Sequence, residues 1–296
     1  MTETVQSAID ARLDALSIPS RIDTDSYPSI VALFEEALST YRDEAACSSV
    51  GHTLTYADLD RLSAQFAGWL QHGAGLEQGD RVAVQMPNLI QYLVVSLGAL
   101  RAGMVVVNTN PLYTERELEH QLNDAGVKVM VVQANVAQTA AAVLPETGVQ
   151  TVVVTEIADL HPQPRRALIN FLVKYVKRMV PAFSIPGALK LNAVLKAGAK
   201  TPYRAVILNR DELAMLQYTG GTTGVAKGAM LTHGNLIANV LQSDAFFETH
   251  NIDGRGSTML QPLPVYHIYA FTASMYALRI GAHTAFVPNP RDLPSV

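Results

Sequence analysis

Between residues 81 and 155 the chain alternates between short segments that are apolar throughout and longer segments that are apolar on one side only. Strands are predicted at 81–86, 104–107, 127–132 and 152–155, and helices at 89–102 and 114–125. Strands that are apolar on both faces and are separated by helices need long crossover connections, because parallel neighbours cannot be joined by a tight turn. The sequence therefore predicts an α/β fold of mainly parallel sheets flanked by helices.

Similar elements are expected before and after this region. Helices are predicted at 30–38 and 55–70, and strands at 45–50 and 258–261. We expect one large domain over residues 1–296. One α/β subdomain is expected at about 78–240, and part of a second one is expected from about 26–77 together with 241–296.

Composition excludes several classes of protein. The chain has 296 residues, of which 49% are hydrophobic, and this is enough for a large buried core. A net charge of −4 provides no basic field that would attract nucleic acid. The one cysteine, Cys47, argues against a disulfide framework and a multi-cysteine metal site. We see no signal-peptide pattern and no apolar run long enough to span a membrane, so we expect a cytoplasmic protein.

A run rich in glycine and threonine follows the apolar segment at 213–216. It reads Tyr218, Thr219, Gly220, Gly221, Thr222, Thr223, Gly224, Val225, Ala226, Lys227, Gly228 and Ala229. Glycines allow several backbone N–H groups to point at one anion, and threonine hydroxyls add further donors. Lys227 supplies a flexible cation that can follow the charge on a reacting phosphoryl group. The run is therefore predicted to bind phosphate.

Two better-known phosphate motifs do not fit this run. A Walker loop places its lysine directly after the last glycine, whereas Val225 and Ala226 separate Gly224 from Lys227. No G-x-G-x-x-G sequence opens a helix, so a dinucleotide crevice is not indicated. A plain glycine-rich hairpin is the remaining alternative, but it requires neither the lysine nor so many hydroxyl groups.

The same run resembles the first signature of the adenylate-forming enzymes, and its residues are similar to those of the bacterial long-chain fatty-acid–CoA ligases in particular. The resemblance covers nearly the whole chain. It implies that residues 218–229 close over the β- and γ-phosphates of ATP and that Lys227 neutralises charge during catalysis. It also implies that Mg²⁺ bridges phosphate oxygens, and we assign no metal ligand in this chain.

The resemblance implies a ligase reaction in two steps that feeds fatty acid degradation. A fatty carboxylate attacks the α-phosphorus of ATP to give acyl-AMP and pyrophosphate, and the thiol of coenzyme A then displaces AMP. Holding the phosphates in line and neutralising their charge is most of what such a step requires. Two alternatives stay open: another adenylate-forming enzyme, such as an aryl-acid or medium-chain ligase or a peptide-synthetase adenylation domain, and a non-catalytic binding module.

Two histidines lie near helix starts. His267 follows a stiff, proline-rich run at 262–266, and the resemblance implies that it borders the pocket where the acyl group, the adenylate and the thiol meet. Its alternative interpretation is a satisfied, half-buried side chain. We predict His267 as a site residue, and we interpret His233, at a strand-to-helix corner, as a capping or packing residue.

Residues 160–210 contain ten basic residues and no acidic one. Five apolar residues in this segment have the spacing of one helical face; they are Leu168, Ile169, Leu172, Val176 and Met179. A cationic amphipathic helix at 165–200 could lie against an anionic membrane surface. An equally weighted alternative is that this segment is a solvent-exposed insertion whose apolar face packs on its own domain.

The chain ends at residue 296 directly after an apolar, strand-like run. The resemblance places the adenine-binding, ribose-binding and magnesium motifs, and the small C-terminal domain, beyond that point. We therefore expect an incomplete N-terminal domain of an adenylate-forming enzyme that is inactive by itself. Exposed sheet edges carry unpaired backbone groups that could pair with a second copy and form a homodimer.

Overall fold

Helices and strands alternate along the chain in this computed structural model, which describes residues 3–219, 225–248 and 254–289. The helices are α1 (Glu3–Ala15), α2 (Ile30–Thr40), α3 (Tyr56–His72), α4 (Ile90–Arg101), α5 (Glu115–Asp124), α6 (Ala137–Val143), α7 (Arg165–Phe171), α8 (Leu191–Gly198), α9 (His233–Glu248) and α10 (Ile268–Arg279). The strands are β1 (Ala45–Ser49), β2 (His52–Thr55), β3 (Arg81–Gln85), β4 (Val105–Thr109), β5 (Val127–Gln133), β6 (Thr151–Thr155), β7 (Leu189–Lys190), β8 (Leu213–Thr219), β9 (Lys227–Thr232), β10 (Thr258–Gln261) and β11 (His283–Phe286). A wider helical turn at Leu172–Val176 continues α7.

The strands of the described residues form two sheets. The larger sheet has seven strands in the order β7-β6-β5-β3-β4-β8-β9, and all of its pairs are parallel except β8 with β9. The smaller sheet has four strands in the order β10-β11-β1-β2, and its antiparallel pair is β1 with β2. The predicted α/β fold with mainly parallel sheets is confirmed. The subdomain boundaries near residues 78 and 240 stay a prediction.

The larger sheet has a hydrophobic core on each of its faces. Val82 and Val84 of β3 belong to the cluster that contains the buried residues of α3 and α4. Ala83, between them, belongs to a second cluster with Leu118 and Leu122 of α5. Successive side chains of a strand point to opposite faces, so a strand that is covered on both faces has to be apolar throughout. This explains why the strands between 81 and 155 show no polar alternation.

Local sequence sets the helix ends in this region. Thr114 Oγ1 accepts a hydrogen bond from the Glu117 N–H at 3.4 Å, and the Glu117 carboxylate accepts one from the Thr114 N–H at 2.8 Å. This reciprocal pair is a capping box, and it begins α5. Gly103 and Gly126 follow α4 and α5 with φ angles of 80° and 57°, the left-handed conformation with which glycine closes a helix.

A buried arginine joins three helices. The Arg101 guanidinium of α4 is 4% exposed, and it lies 2.5 Å from Oδ1 of Asp60 in α3 and 3.1 Å from Oε1 of Glu35 in α2. It also donates to Ser63 Oγ at 2.9 Å. Pairing makes a buried charge tolerable, although the Arg101 Nε–H forms no hydrogen bond among the described residues. Arg101 therefore fixes how α2, α3 and α4 pack together.

The basic segment at 160–210 contains α7 with its continuation, β7 and α8. Four of the five residues predicted to share an apolar face are exposed, namely Leu168, Leu172, Val176 and Met179. Ile169, the fifth residue of that face, is half-buried. No helix in the described part of the chain is long and apolar enough to cross a membrane.

Candidate functional site

The predicted phosphate-binding run spans the hairpin of β8 and β9. Thr219, the last residue of β8, pairs with Lys227, the first residue of β9. Five residues of the predicted run lie between these strands and outside the described part of the chain. They are Gly220, Gly221, Thr222, Thr223 and Gly224. Thr219 and Lys227 thus lie together at the carboxyl end of β8. Open parallel sheets bind their ligands at this end of the strands.

Lys227 presents a cation that is available to an anionic ligand. Its side chain is exposed, as are those of Thr219, Val225 and Ala229. Among the residues that the structure describes, no carboxylate forms an ion pair with the Lys227 ammonium. A hydroxyl group and an uncompensated ammonium on paired residues provide a donor and a charge for phosphate oxygens.

Both flanks of the run are fixed. The Tyr218 hydroxyl donates to Asp124 Oδ2 at 2.5 Å, and burial, together with this carboxylate, raises the pKa of Tyr218, so the phenol keeps its proton. A Cβ at Gly228, the cross-strand neighbour of Tyr218, would lie 3.0 Å from the tyrosine ring. On the other flank, His120 Nε2 lies 3.0 Å from the Ala226 carbonyl oxygen. The ends of the hairpin are therefore held by α5.

A buried chain of polar side chains leads from β8 to the segment before α10. The Tyr92 hydroxyl donates to Asn108 Oδ1 at 2.6 Å, and Asn108 Nδ2 donates to Gln217 Oε1 at 3.1 Å. Gln217 Nε2 in turn donates to the Tyr266 carbonyl oxygen at 3.2 Å. Buried polar groups held in this manner make the position of one segment depend on the other. The residue before His267 is thus fixed to the strand that leads into the phosphate run.

Asn108 and Gln217 were not predicted as site residues. The strand predicted at 104–107 ended before Asn108, but Asn108 lies within β4 and is buried. A polar residue within an otherwise apolar strand needs a partner, because an unsatisfied buried amide is costly. That signal was present in the sequence at 105–109, where an asparagine follows three valines.

His267 caps α10. Its Nδ1 accepts a hydrogen bond from the Tyr269 N–H at 3.3 Å, and its side chain is exposed. Because Nδ1 is the acceptor, the neutral ring carries its proton on Nε2. The interpretation of His267 as a half-buried side chain was therefore wrong, and its Nε2–H is the group that a ligand can reach.

A mainly apolar cavity of about 590 Å³ lies beside the hairpin. Its walls come from β9, α9, β10 and α10, and they include Leu231, Leu236, Phe247, Ile268, Tyr269 and Tyr276. Asn239, Gln261 and Thr272 add polar groups. Small-molecule pockets typically combine this size with a mostly apolar wall and a few polar groups. The cavity borders both the strand that begins at Lys227 and the helix that His267 caps.

His233 is a packing residue, as predicted. It is buried at the start of α9, and its Nδ1 has no hydrogen-bond partner among the described residues. Thr232 and Asn235 cap the helix instead, with Thr232 Oγ1 accepting from the Asn235 N–H at 3.2 Å. Burial lowers the pKa of His233 to about 4, and the nearby Glu212 carboxylate opposes this only partly.

The low pKa of His233 predicts a loss of stability in acid. The histidine of the unfolded chain titrates near pH 6.5, whereas the buried ring titrates near 4. The free energy of unfolding is therefore highest above pH 6.5 and decreases as the pH falls towards about 4. A shift of this size corresponds to on the order of 3 kcal/mol in the free energy of unfolding. In urea titrations between pH 7 and 4, His233→Leu should make the free energy of unfolding depend less on pH. His72→Leu, at an exposed position, should leave this dependence unchanged; equal slopes for the two variants would contradict the assignment.

The described residues contain no group of three or more His, Cys, Asp or Glu side chains placed to hold a metal ion. A divalent cation that arrives on a nucleotide is held mainly by phosphate oxygens and water, with few protein ligands.

The fold also occurs in a solved structure of another protein. A long-chain-fatty-acid–CoA ligase from Archaeoglobus fulgidus has the same fold with a TM-score of 0.70 and 24% sequence identity, over 88% of this chain and 47% of that chain. This likeness agrees with the α/β fold that the sequence predicted.

The chain belongs to the AMP-binding enzyme family, which matches residues 34–296. It is 44% identical over 280 residues to the long-chain-fatty-acid–CoA ligase of Escherichia coli O157:H7, which covers 94% of this chain and 50% of that protein. The corresponding ligase of Haemophilus influenzae is 43% identical over 277 residues, covering 92% of this chain and 49% of that protein. The chain thus spans about half the length of the curated relatives it matches.

Proposed function

We propose that this chain supplies the phosphate-binding and acyl-binding parts of an ATP-dependent, AMP-forming long-chain-fatty-acid–CoA ligase. The observation that carries the proposal is the position of the β8–β9 hairpin. It presents Thr219 and Lys227 at the carboxyl end of β8, and among the described residues no carboxylate pairs with Lys227. Farther along β9, Leu231 lines a mainly apolar cavity of about 590 Å³. The similarity to long-chain-fatty-acid–CoA ligases at 44% identity supports the same substrate class.

The hairpin acts on the nucleotide in this proposal. Thr219 donates a hydrogen bond to a phosphate oxygen, together with the residues at 220–224 that lie outside the described part of the chain. Lys227 approaches the leaving pyrophosphate and neutralises the charge that develops when the bond to the α-phosphorus breaks. Mg²⁺ would accompany the nucleotide and neutralise further phosphate charge, and we assign it no ligand in this chain.

The cavity holds the acyl chain in this proposal. Its apolar wall favours the burial of methylene groups, each worth about 0.8 kcal/mol when it leaves water. The carboxylate then lies at the end of the cavity near His267, whose Nε2–H can donate to a carboxylate or carbonyl oxygen. The chain of hydrogen bonds through Gln217 keeps this end aligned with the phosphate run.

Coenzyme A enters the second step as the thiol that displaces AMP. A hydrogen-bond donor at His267 suits this step because the carbonyl oxygen gains negative charge as sulfur attacks. We infer that residues 1–296 alone show no ligase turnover, and the support is that the chain spans about half the length of its relatives.

Acid-dependent exchange of pyrophosphate into ATP by the full-length protein tests this function. We expect long-chain fatty acids to support the fastest exchange in a panel that includes medium-chain, aryl and amino acids. Fastest exchange with an aryl or amino acid would instead assign another adenylate-forming enzyme. No exchange with any acid would favour a non-catalytic role and overturn the proposal.

Filling the cavity tests where the acyl chain lies. Ala273 lines the cavity on α10, and Ala273→Phe should raise KM for a long-chain acid at least about tenfold while a short-chain acid is still activated, because several methylene groups lose their burial. Ala142→Phe, at an exposed position of α6, is the matched control and should leave both KM values unchanged. Equal effects on long and short acids would place the acyl chain elsewhere.

A further inference from the structure

An apolar row faces solvent along α7 and its continuation. Its members, which we call the outer face, are each more than half exposed, apart from Leu172 at 39%; they are Leu168, Phe171, Leu172, Tyr175, Val176 and Met179. The spacing of three and four residues places the five members between 168 and 176 on one side of the helix, and Met179 follows the end of the helix. Phe171 and Tyr175 pack against each other with ring centroids 5.2 Å apart.

The inner side of the same helix is anchored to the protein. The Asn170 side chain accepts from the Ala158 N–H at 3.0 Å and donates to Glu156 Oε2 at 3.2 Å. Val173, three residues after Asn170, is half-buried, and so is Ile169 at the border of the outer face. Because these contacts fix the rotation of the helix, its apolar outer face cannot turn inward and is held towards solvent.

The cations of this region surround the outer face. Arg165, Lys174, Lys177 and Arg178 are exposed within or directly after the helix. No acidic residue occurs between 160 and 210, although the chain as a whole carries a net charge of −4. The carboxylates that approach the helix, Glu156 and Asp159, lie on its inner side. The region therefore combines exposed apolar area with unopposed positive charge.

We propose that the outer face of α7 is a docking surface for an anionic lipid bilayer. Apolar and aromatic side chains that project from an anchored helix can enter the interface between head groups and acyl chains, while flanking lysines and arginines reach anionic head groups. The Lys174 ammonium also lies 5.4 Å from the Tyr175 ring centroid, so both groups would meet a bilayer at a similar depth. The charge of the patch is complementary to an anionic membrane and selects it over an uncharged protein surface.

This surface lies away from the proposed catalytic hairpin. α7 connects β6 to β7 at one edge of the larger sheet, and β8 and β9 form the opposite edge. Four strand spacings separate β6 from β8, which is about 19 Å. A bilayer bound at the outer face therefore leaves the hairpin and the cavity accessible. The proposal does not rest on the ligase function, because membrane binding is measured without substrates.

Sedimentation of the full-length protein with vesicles tests the proposal. We expect binding to vesicles that contain phosphatidylglycerol and phosphatidylcholine, weaker binding to phosphatidylcholine alone, and release at high salt. Reversing three charges by Lys174→Glu, Lys177→Glu and Arg178→Glu should lower the partition coefficient more than 100-fold, at about fivefold or more for each cation. The matched control, Arg21→Glu, Arg42→Glu and Arg116→Glu, changes the net charge equally at exposed positions and should stay within about threefold of the wild type.

An apolar variant separates insertion from charge attraction. Phe171→Ser, Tyr175→Ser and Val176→Ser should lower partition at least tenfold while the melting temperature changes little, because these side chains are exposed. Equal partition of the wild type and both patch variants would overturn the proposal, as would no binding to anionic vesicles. A lower melting temperature or a change from dimer to monomer in the apolar variant, without vesicle binding, would overturn it too. Those results would show that the rest of the protein or a second copy covers this face.

Discussion

Replacing Lys227 by alanine in the full-length protein is expected to slow fatty-acid-dependent pyrophosphate exchange by about 10²- to 10³-fold. The loss of one group that stabilises developing charge typically has this effect. Lys227 is exposed and is not in an ion pair within the described chain, so its charge is free to act on the ligand. Because charge on the leaving pyrophosphate grows as the bond breaks, kcat should fall more than KM for ATP rises.

Lys200→Ala is the matched control for Lys227→Ala. Lys200 is also exposed, but it follows α8, which is distant in sequence from the hairpin. The control should retain the exchange rate within about twofold, and both variants should keep the wild-type melting temperature, since surface substitutions usually change stability little. An unchanged rate for Lys227→Ala would refute the assignment of this lysine to phosphate chemistry.

Replacing Arg101 by alanine is expected to lower the free energy of unfolding by about 4 kcal/mol. The guanidinium is 4% exposed and contacts Asp60 at 2.5 Å and Glu35 at 3.1 Å, on two different helices. The two carboxylates are 37% and 43% exposed and can be hydrated in the variant, so most of the cost comes from the cavity left by the buried arginine. Truncating a large buried side chain to alanine typically costs about 2–5 kcal/mol. Urea denaturation of the variant and the wild type measures the difference.

Arg61→Ala provides a matched comparison for Arg101→Ala. Arg61 also pairs with an aspartate, Asp58 at 2.8 Å, but its side chain is 56% exposed. A surface pair of this kind contributes about 1 kcal/mol or less. If the two variants lost equal stability, burial of Arg101 would not be the reason for its effect.

The elements between 81 and 155 were predictable from sequence because burial of both sheet faces imposes a local pattern. Periodicity alone did not predict how distant strands pair. The partner of β1, for example, is β11, which pairs Cys47 with Thr284. Strand pairing depends on the packing of the whole sheet, and a local pattern carries no information about a partner so far along the chain.

A phosphate-binding run could be proposed from sequence because its candidate residues are twelve consecutive ones, and its role stays a prediction. The connection between that run and His267 could not be proposed, because it passes through Asn108 and Gln217 on two strands that lie side by side only in the folded sheet. Spacing also did not show that Ile169 would be half-buried while the other four residues of its predicted face are exposed. Residue spacing predicts which side chains share a helical face, but how many of them are buried depends on the neighbouring elements.

The return of the chain to the smaller sheet affects how the protein folds during synthesis. The Tyr56 hydroxyl donates to the Ala282 carbonyl oxygen at 2.9 Å, across 226 positions of sequence. At about 5–20 residues per second, a ribosome needs on the order of ten to fifty seconds to make the intervening chain. During that interval β1 has an unpaired edge that can aggregate. Nascent chains should therefore bind chaperones until β11 emerges, and translation beyond this point should release them.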